Sequence, residues 1–202
     1  MTVEKETGRI EAFSDGVFAV AITLLVLDLK VPSQQPGHET GLTEALLAQW
    51  PSYVAYVTSF LTILVMWINH HNLFTHIRRA DHVFLIINGL LLMFVTLVPF
   101  TTSLIADYVL KPDERTAAIV FNGTFVMIAI VYNVLWRYAS ENQRLLDRQV
   151  NVAAVERITR GYRFGPLVYI VTFLAGLVNV AASLGLALAL AIYFALPTTS
   201  AG

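Results

Sequence analysis

"RIEAFSDGVFAVAITLLVLDLKVP", residues 9–32, is an apolar helix with charge at both ends: Arg9 before it, a Ser14-Asp15 pair near its start and Asp28 near its finish. The solvent around this helix decides the fold, and the rest of the chain identifies that solvent. Of 202 residues, 56% are hydrophobic and only 13% charged, against about 25% charged in an ordinary soluble domain. With a mean hydropathy of +0.66, the chain belongs in a membrane. A net charge of −1 argues against a nucleic-acid partner, and the absence of cysteine excludes disulfides, thiolate metal sites and cysteine nucleophiles. The first apolar run starts at Ala12, carries Asp15 and Asp28, and has no small-residue cleavage site before Pro32. It reads as a retained span rather than a cleavable leader.

A helix needs about 20 mostly apolar residues to cross the hydrocarbon core. Candidate spans lie at 10–30, 51–74, 83–106 and 117–137, followed by an apolar block at 164–196. That block is long for one span and short for two. Asn179, Ser183 and Gly185 mark a turn that divides it at about 164–179 and 183–196, so six spans are preferred to five. The expectation is a single all-α polytopic domain over residues 1–202. Basic residues set its direction. With the N-terminus cytoplasmic, the inner segments hold Lys5, Arg9, Arg78, Arg79, Arg137, Arg144, Arg148, Arg157, Arg160 and Arg163, and the outer ones only Lys30, Lys111 and Arg115. This bias places both termini in the cytoplasm of a multi-pass protein of the cell membrane. The segment 138–163 alternates apolar and charged residues at loosely helical spacing. It either extends the flanking spans into the cytosol or lies at the lipid surface. The outer loop 31–50 turns at Pro32, Pro36 and Gly37.

Enzyme motifs are missing: there is no GxSxG, phosphate-loop glycine pattern or HExxH. Four histidines (His70, His71, His76, His82) cluster near the end of the second span. His70 and His71 point about 100° apart on a helix and do not share one metal from one face, so no metal or other cofactor is expected. Asn69, Asn88, Thr96, Asn122, Asn133 and Asn179 read as hydrogen-bonding links between helices. On the first span, Val20, Leu24 and Leu27 fall within about 40° of one another, with Thr23 about 60° to one side. Asp15 lies about 140° from Val20 and should point into the subunit's own bundle. An ionisable group at that depth is functional or holds a network, with Ser14 beside it and Arg9 able to reach back as a partner. Asp28 lies near the stripe on the outer side.

The pattern Arg9-x-x-x-Phe13-Ser14-Asp15 at the start of the first of six spans resembles that of the transmembrane protein 175 family of potassium channels, in its single-repeat prokaryotic form. Trp67 and His70 near the inner end of the second span, and a basic linker before the fifth, extend the resemblance over most of the chain. It implies a homotetramer in the lipid bilayer, with the first helices lining a central pore and no separate selectivity loop. By resemblance, Val20 forms the narrowest apolar ring, one methylene smaller than the family's frequent isoleucine. Leu24 and Leu27 form the next rings, Thr23 contributes to selectivity, and Asp28 draws cations to the outer mouth. Arg9, Phe13, Ser14, Asp15, Trp67 and His70 form the network behind the pore helix. Hydrophobic constrictions gate by dewetting, so an apolar pore is physically coherent. The implied function is a potassium-preferring cation channel whose only ligand is the permeant potassium ion. The alternative is a proton channel or proton-coupled transporter that uses Asp15 and the histidines.

Overall fold

Helix α1 (Val3–Leu24) buries Ser14, Phe18 and Ala21, and the burial continues to Leu25 in the 3₁₀ turn Leu25–Asp28 that prolongs it. These residues recur at intervals of three and four, the period of one helix face. That face packs between α3 (Trp50–His76) and α4 (His82–Tyr108). The computed structural model describes residues 3–32, 41–147 and 152–196; Pro36, Gly37 and Arg148 lie outside them. Among the described residues the chain continues with a short α2 (Leu42–Ala48), α5 (Glu114–Ser140), α6 (Val152–Val178) and α7 (Val180–Ala195). The α2 turn stands where the sequence suggests only an outer loop.

Among the described residues five helices are long and apolar enough to cross a membrane: Thr7–Asp28, Trp50–His76, His82–Tyr108, Glu114–Gln143 and Val155–Val178. The last apolar block divides at Asn179, but not into two short helices. Helix α6 starts at Val152 rather than near 164 and runs 27 residues, while α7 has only 16. At 1.5 Å per residue α7 is about 24 Å long, below the roughly 30 Å of a hydrocarbon core. Asn179 makes the break by leaving helical conformation and accepting the Ala182 N–H on its side chain at 2.9 Å, an N-cap. The two helices then fold back on each other where Gly176 lies beside Ser183 and Asn122. A Cβ at Gly176 would come within 2.9 Å of Asn122 Nδ2 and 3.2 Å of Ser183 Oγ, and Asn122 donates to that hydroxyl at 2.9 Å. Small residues allow such close approach, and polar side chains then bridge the helices.

The basic linker is tied down at its start. Ile77 and Leu146 form an isolated antiparallel bridge, the Arg78 N–H donates to Leu145 O at 2.9 Å, and Asp147 N–H donates to His76 O at 3.1 Å. The Arg78 guanidinium meets the Asp147 carboxylate at 3.2 Å. Asp81 caps α4 by accepting the Phe84 N–H at 2.9 Å and also accepts the Tyr138 hydroxyl at 2.7 Å. Helices α5 and α6 thus extend past their apolar stretches on either side of an anchored turn.

Candidate functional site

The buried face of α1 is held by one hydrogen-bonded line across three helices. His70 Nε2 on α3 donates to Asn88 Oδ1 on α4 at 3.0 Å. Asn88 Nδ2 donates to Ser14 Oγ at 3.1 Å, and the Ser14 hydroxyl donates to Ile10 O, one turn back on α1, at 2.8 Å. Because Asn88 presents its carbonyl oxygen to the ring, His70 carries its proton on Nε2. All three side chains are buried, and the His70 ring sits between Phe18 and Phe74, with centroids 5.4 and 4.5 Å away. Asn88 is the hub of this clamp. The sequence marks it only as one polar residue among several inside spans.

A second row of contacts lies beside the clamp. Trp67 Nε1 donates to Asp15 Oδ1 at 2.9 Å. One turn toward the basic end, His71 Nδ1 and Glu11 Oε1 approach to 2.8 Å. Trp67 and His71 stack with centroids 6.3 Å apart. Two acids spaced i, i+4 on α1 therefore face an aromatic pair spaced i, i+4 on α3, a match the sequence contains but does not announce. Glu11 is a site residue that sequence reasoning missed, and the sequence marks His71 only as one of a cluster of histidines.

Three expectations change within the chain. Asp15 turns inward as its helical phase requires, but its partner is Trp67, not Arg9 or His70. Arg9 is exposed, and its guanidinium makes no hydrogen bond or ion pair among the described residues. It lies on a cleft of about 530 Å³ between α1 and α4, together with Phe13, Leu85 and Asn88. Phe13, assigned by resemblance to the network, is 67% exposed. It falls seven residues before Val20, two turns away on the same face. Asp28 directs its carboxyl toward Ser103 and Asp107 of α4, with Lys30 nearby and paired to Asp107 at 3.3 Å. It does not project along the stripe.

The stripe itself stands free of the chain's own packing. Val20 is 55%, Leu24 43% and Leu27 71% exposed, on the side of α1 opposite Phe18, Ala21 and Leu25. Thr23 shares this open side, and its hydroxyl donates back to Ala19 O and Val20 O, both at 2.9 Å. That orientation uses the hydroxyl proton and leaves oxygen lone pairs outward.

Known proteins share this fold. Residues 9–99 match the family model described as endosomal/lysosomal potassium channel TMEM175. The chain is 53% identical, over 96% of its length and 95% of the relative's, to a potassium channel of Chamaesiphon minutus. The crystal structure of a lysosomal potassium-selective channel TMEM175 homologue from Chamaesiphon minutus superposes with a TM-score of 0.87 at 51% identity, covering 96% of this chain and 99% of that one. The human endosomal/lysosomal proton channel TMEM175 is 33% identical over 67% of this chain and 28% of its own length.

Proposed function

The chain belongs to the TMEM175 family, and on that premise we propose that it assembles as a homotetrameric, potassium-preferring cation channel whose pore is lined by α1. The observation that carries this reading is the two-faced character of α1. One face is locked by Ser14, Phe18, Ala21 and Leu25, while Val20, Thr23, Leu24 and Leu27 lie on a broad exposed face that also includes Ala19 and Val26. Helices that bury one apolar stripe and expose another have a second surface to cover, either with lipid or with copies of themselves. The membership favours copies, and the 53%-identical relative is named a potassium channel.

In this arrangement Val20, Leu24 and Leu27 form apolar rings that dewet when narrow and conduct when wide. Thr23 offers outward oxygen lone pairs next to the Val20 ring, so its hydroxyl is the polar group with access to a dehydrating cation. The clamp Ser14–Asn88–His70 and the Asp15–Trp67 bond fix the rotation of α1 about its own axis and so aim the stripe. Phe13, two turns below Val20 on the same face, and the exposed Arg9 cover or contact neighbouring subunits. Asp28 and Asp107 against the single Lys30 leave the far end of the helix with a net negative charge that concentrates cations there. With the short α7 counted as a sixth crossing, the protein spans the cell membrane with both termini on the arginine-rich, cytoplasmic side, uses no cofactor, and acts on no substrate beyond the permeant ion. Its relatives are ion channels, not enzymes.

A second reading, a proton channel, draws on the Glu11–His71 contact at the inner end of α1 and on the human relative's name. Purified protein in liposomes separates the two. A potassium gradient that drives flux without a proton gradient, with a bi-ionic reversal potential favouring potassium over sodium, supports the channel for potassium. Proton flux without potassium flux overturns it.

A further inference from the structure

On the side of the bundle away from α1, helices α3, α5, α6 and α7 enclose a cleft of about 510 Å³. That volume lies within the roughly 300–1,000 Å³ of ordinary ligand pockets. Its walls are chiefly apolar and aromatic, with Tyr162 and Tyr193 among them. The side-chain amides of Asn69 and Asn72 also line it and have no hydrogen-bond partner among the described residues. Gly161 and Phe164 of α6 form part of the wall. One turn nearer the N-terminus of α6 stand Arg157 and Arg160, both exposed and without an ion pair among the described residues. Hydrocarbon-lined space, amide donors and two free guanidiniums thus share one end of the bundle.

We propose that this cleft is a binding site for an anionic phospholipid of the cytoplasmic leaflet. One acyl chain lies between α3 and α6, the ester carbonyls accept hydrogen bonds from Asn69 and Asn72, and the phosphate meets Arg157 and Arg160. Basic pockets between spans on the cytoplasmic side recognise anionic headgroups in this way. Guanidiniums suit phosphate because they donate two parallel hydrogen bonds. A second copy of the chain is the less fitting occupant: the free stripe for self-association is on α1, which packs against α3 and α4 and contributes no residue to the cleft. The assignment of the arginine-rich end to the cytoplasm rests on the channel reading above; the site chemistry does not.

The test is native mass spectrometry of the delipidated, detergent-purified protein with added phosphatidylglycerol or phosphatidylcholine of identical acyl chains. The parent should retain phosphatidylglycerol preferentially. Each arginine near a membrane surface contributes roughly a fivefold factor, so Arg157→Gln and Arg160→Gln should each weaken phosphatidylglycerol retention by about that factor and leave phosphatidylcholine unchanged. A Cβ at Gly161 meets nothing within 4 Å, so Gly161→Trp should fill the cleft and remove the preference without disturbing assembly. Equal retention of both lipids by the parent, or a preference that survives the arginine substitutions, overturns the site. Potassium flux measured on the same preparations keeps the two ideas apart. Flux without lipid preference sinks the lipid site alone, and lipid preference without flux sinks the channel alone.

Discussion

Asn88 joins His70 to Ser14: one amide accepts from the imidazole at 3.0 Å and donates to the hydroxyl at 3.1 Å. Three helices are registered through a single buried side chain at the edge of the cleft beside Arg9. The register of α1 is therefore set from behind, by side chains of α3 and α4, and not by a pairing of the Arg9 and Asp15 charges that its sequence displays.

Asn88→Leu should destabilise the protein. It leaves the His70 Nε2–H and the Ser14 hydroxyl buried without this partner, and an unsatisfied buried polar group costs about 1–3 kcal/mol. Thermal melts of the purified protein should show a lower midpoint than the parent. Ser14→Ala, which strands only the Asn88 amide, should fall between the two. A melt for Asn88→Leu that overlays the parent would show the clamp to be unimportant.

Asp15→Asn should be mild and Asp15→Ala worse. The indole of Trp67 needs only an acceptor at Oδ1, and an asparagine carbonyl supplies one in the same place. Assembly on size-exclusion chromatography and the reversal potential in mixed potassium and sodium should both stay near the parent for Asp15→Asn. A large reversal-potential shift with assembly intact would put Asp15 on the ion path.

Leu24→Asn and Leu27→Asn should raise conductance by easing wetting of the apolar rings, with assembly retained because both side chains lie outside the chain's own core. Thr23→Val should move the potassium-to-sodium preference more than it moves expression. Single-channel recording checks both, and loss of assembly without gain of current in both leucine variants would mean that the stripe is packing surface.

Gly176→Ala should destabilise by about 1–3 kcal/mol, because its methyl group would be forced against Asn122 and Ser183. Gly185→Ala in α7 is the control. A Cβ there meets nothing within 4 Å, and alanine favours a helix by up to about 1 kcal/mol over glycine. The melting temperature should fall for the first and hold or rise for the second.

Asp81 gives stability an acid limb. The Phe84 N–H that it caps, with smaller help from the Tyr138 hydroxyl and Arg144, holds its carboxyl below the usual carboxylate value. A depressed folded-state pKa contributes stability that is present above the unfolded value of about 3.9 and is lost as pH falls through the folded one. Asp81→Asn keeps a capping oxygen and should flatten the dependence of melting temperature on pH below about 4. An unchanged acid limb in that variant would assign it to other carboxylates.

Much of the architecture is legible in single residues. Asn179 ends one helix and caps the next, and the helical phase of Val20, Leu24 and Leu27 sets them together on one side of α1. The partners are not legible. Trp67 lies 52 residues from Asp15, Asn88 lies 74 from Ser14, and nothing local pairs them. The sequence rule that favours an Arg9–Asp15 pair is sound for charges alone. It loses here because Arg9 stays on the exposed rim while the indole N–H reaches the carboxylate.

By itself the sequence determined that the chain lives in lipid, that it is helical, and where most spans begin. In hydrocarbon every backbone group must be satisfied within its own segment, so apolar run length nearly decides the secondary structure. Only the tertiary structure decided which apolar face is core and which is free. Phe13 and Phe18 are the same residue type on the same helix, yet one is 67% exposed and the other fully buried. Lipid tails are as apolar as a protein interior, so no hydrophobic gradient marks the packed side of a span. That choice falls to the few polar side chains and close contacts that lock one helix against another, and those exist only once the helices have met.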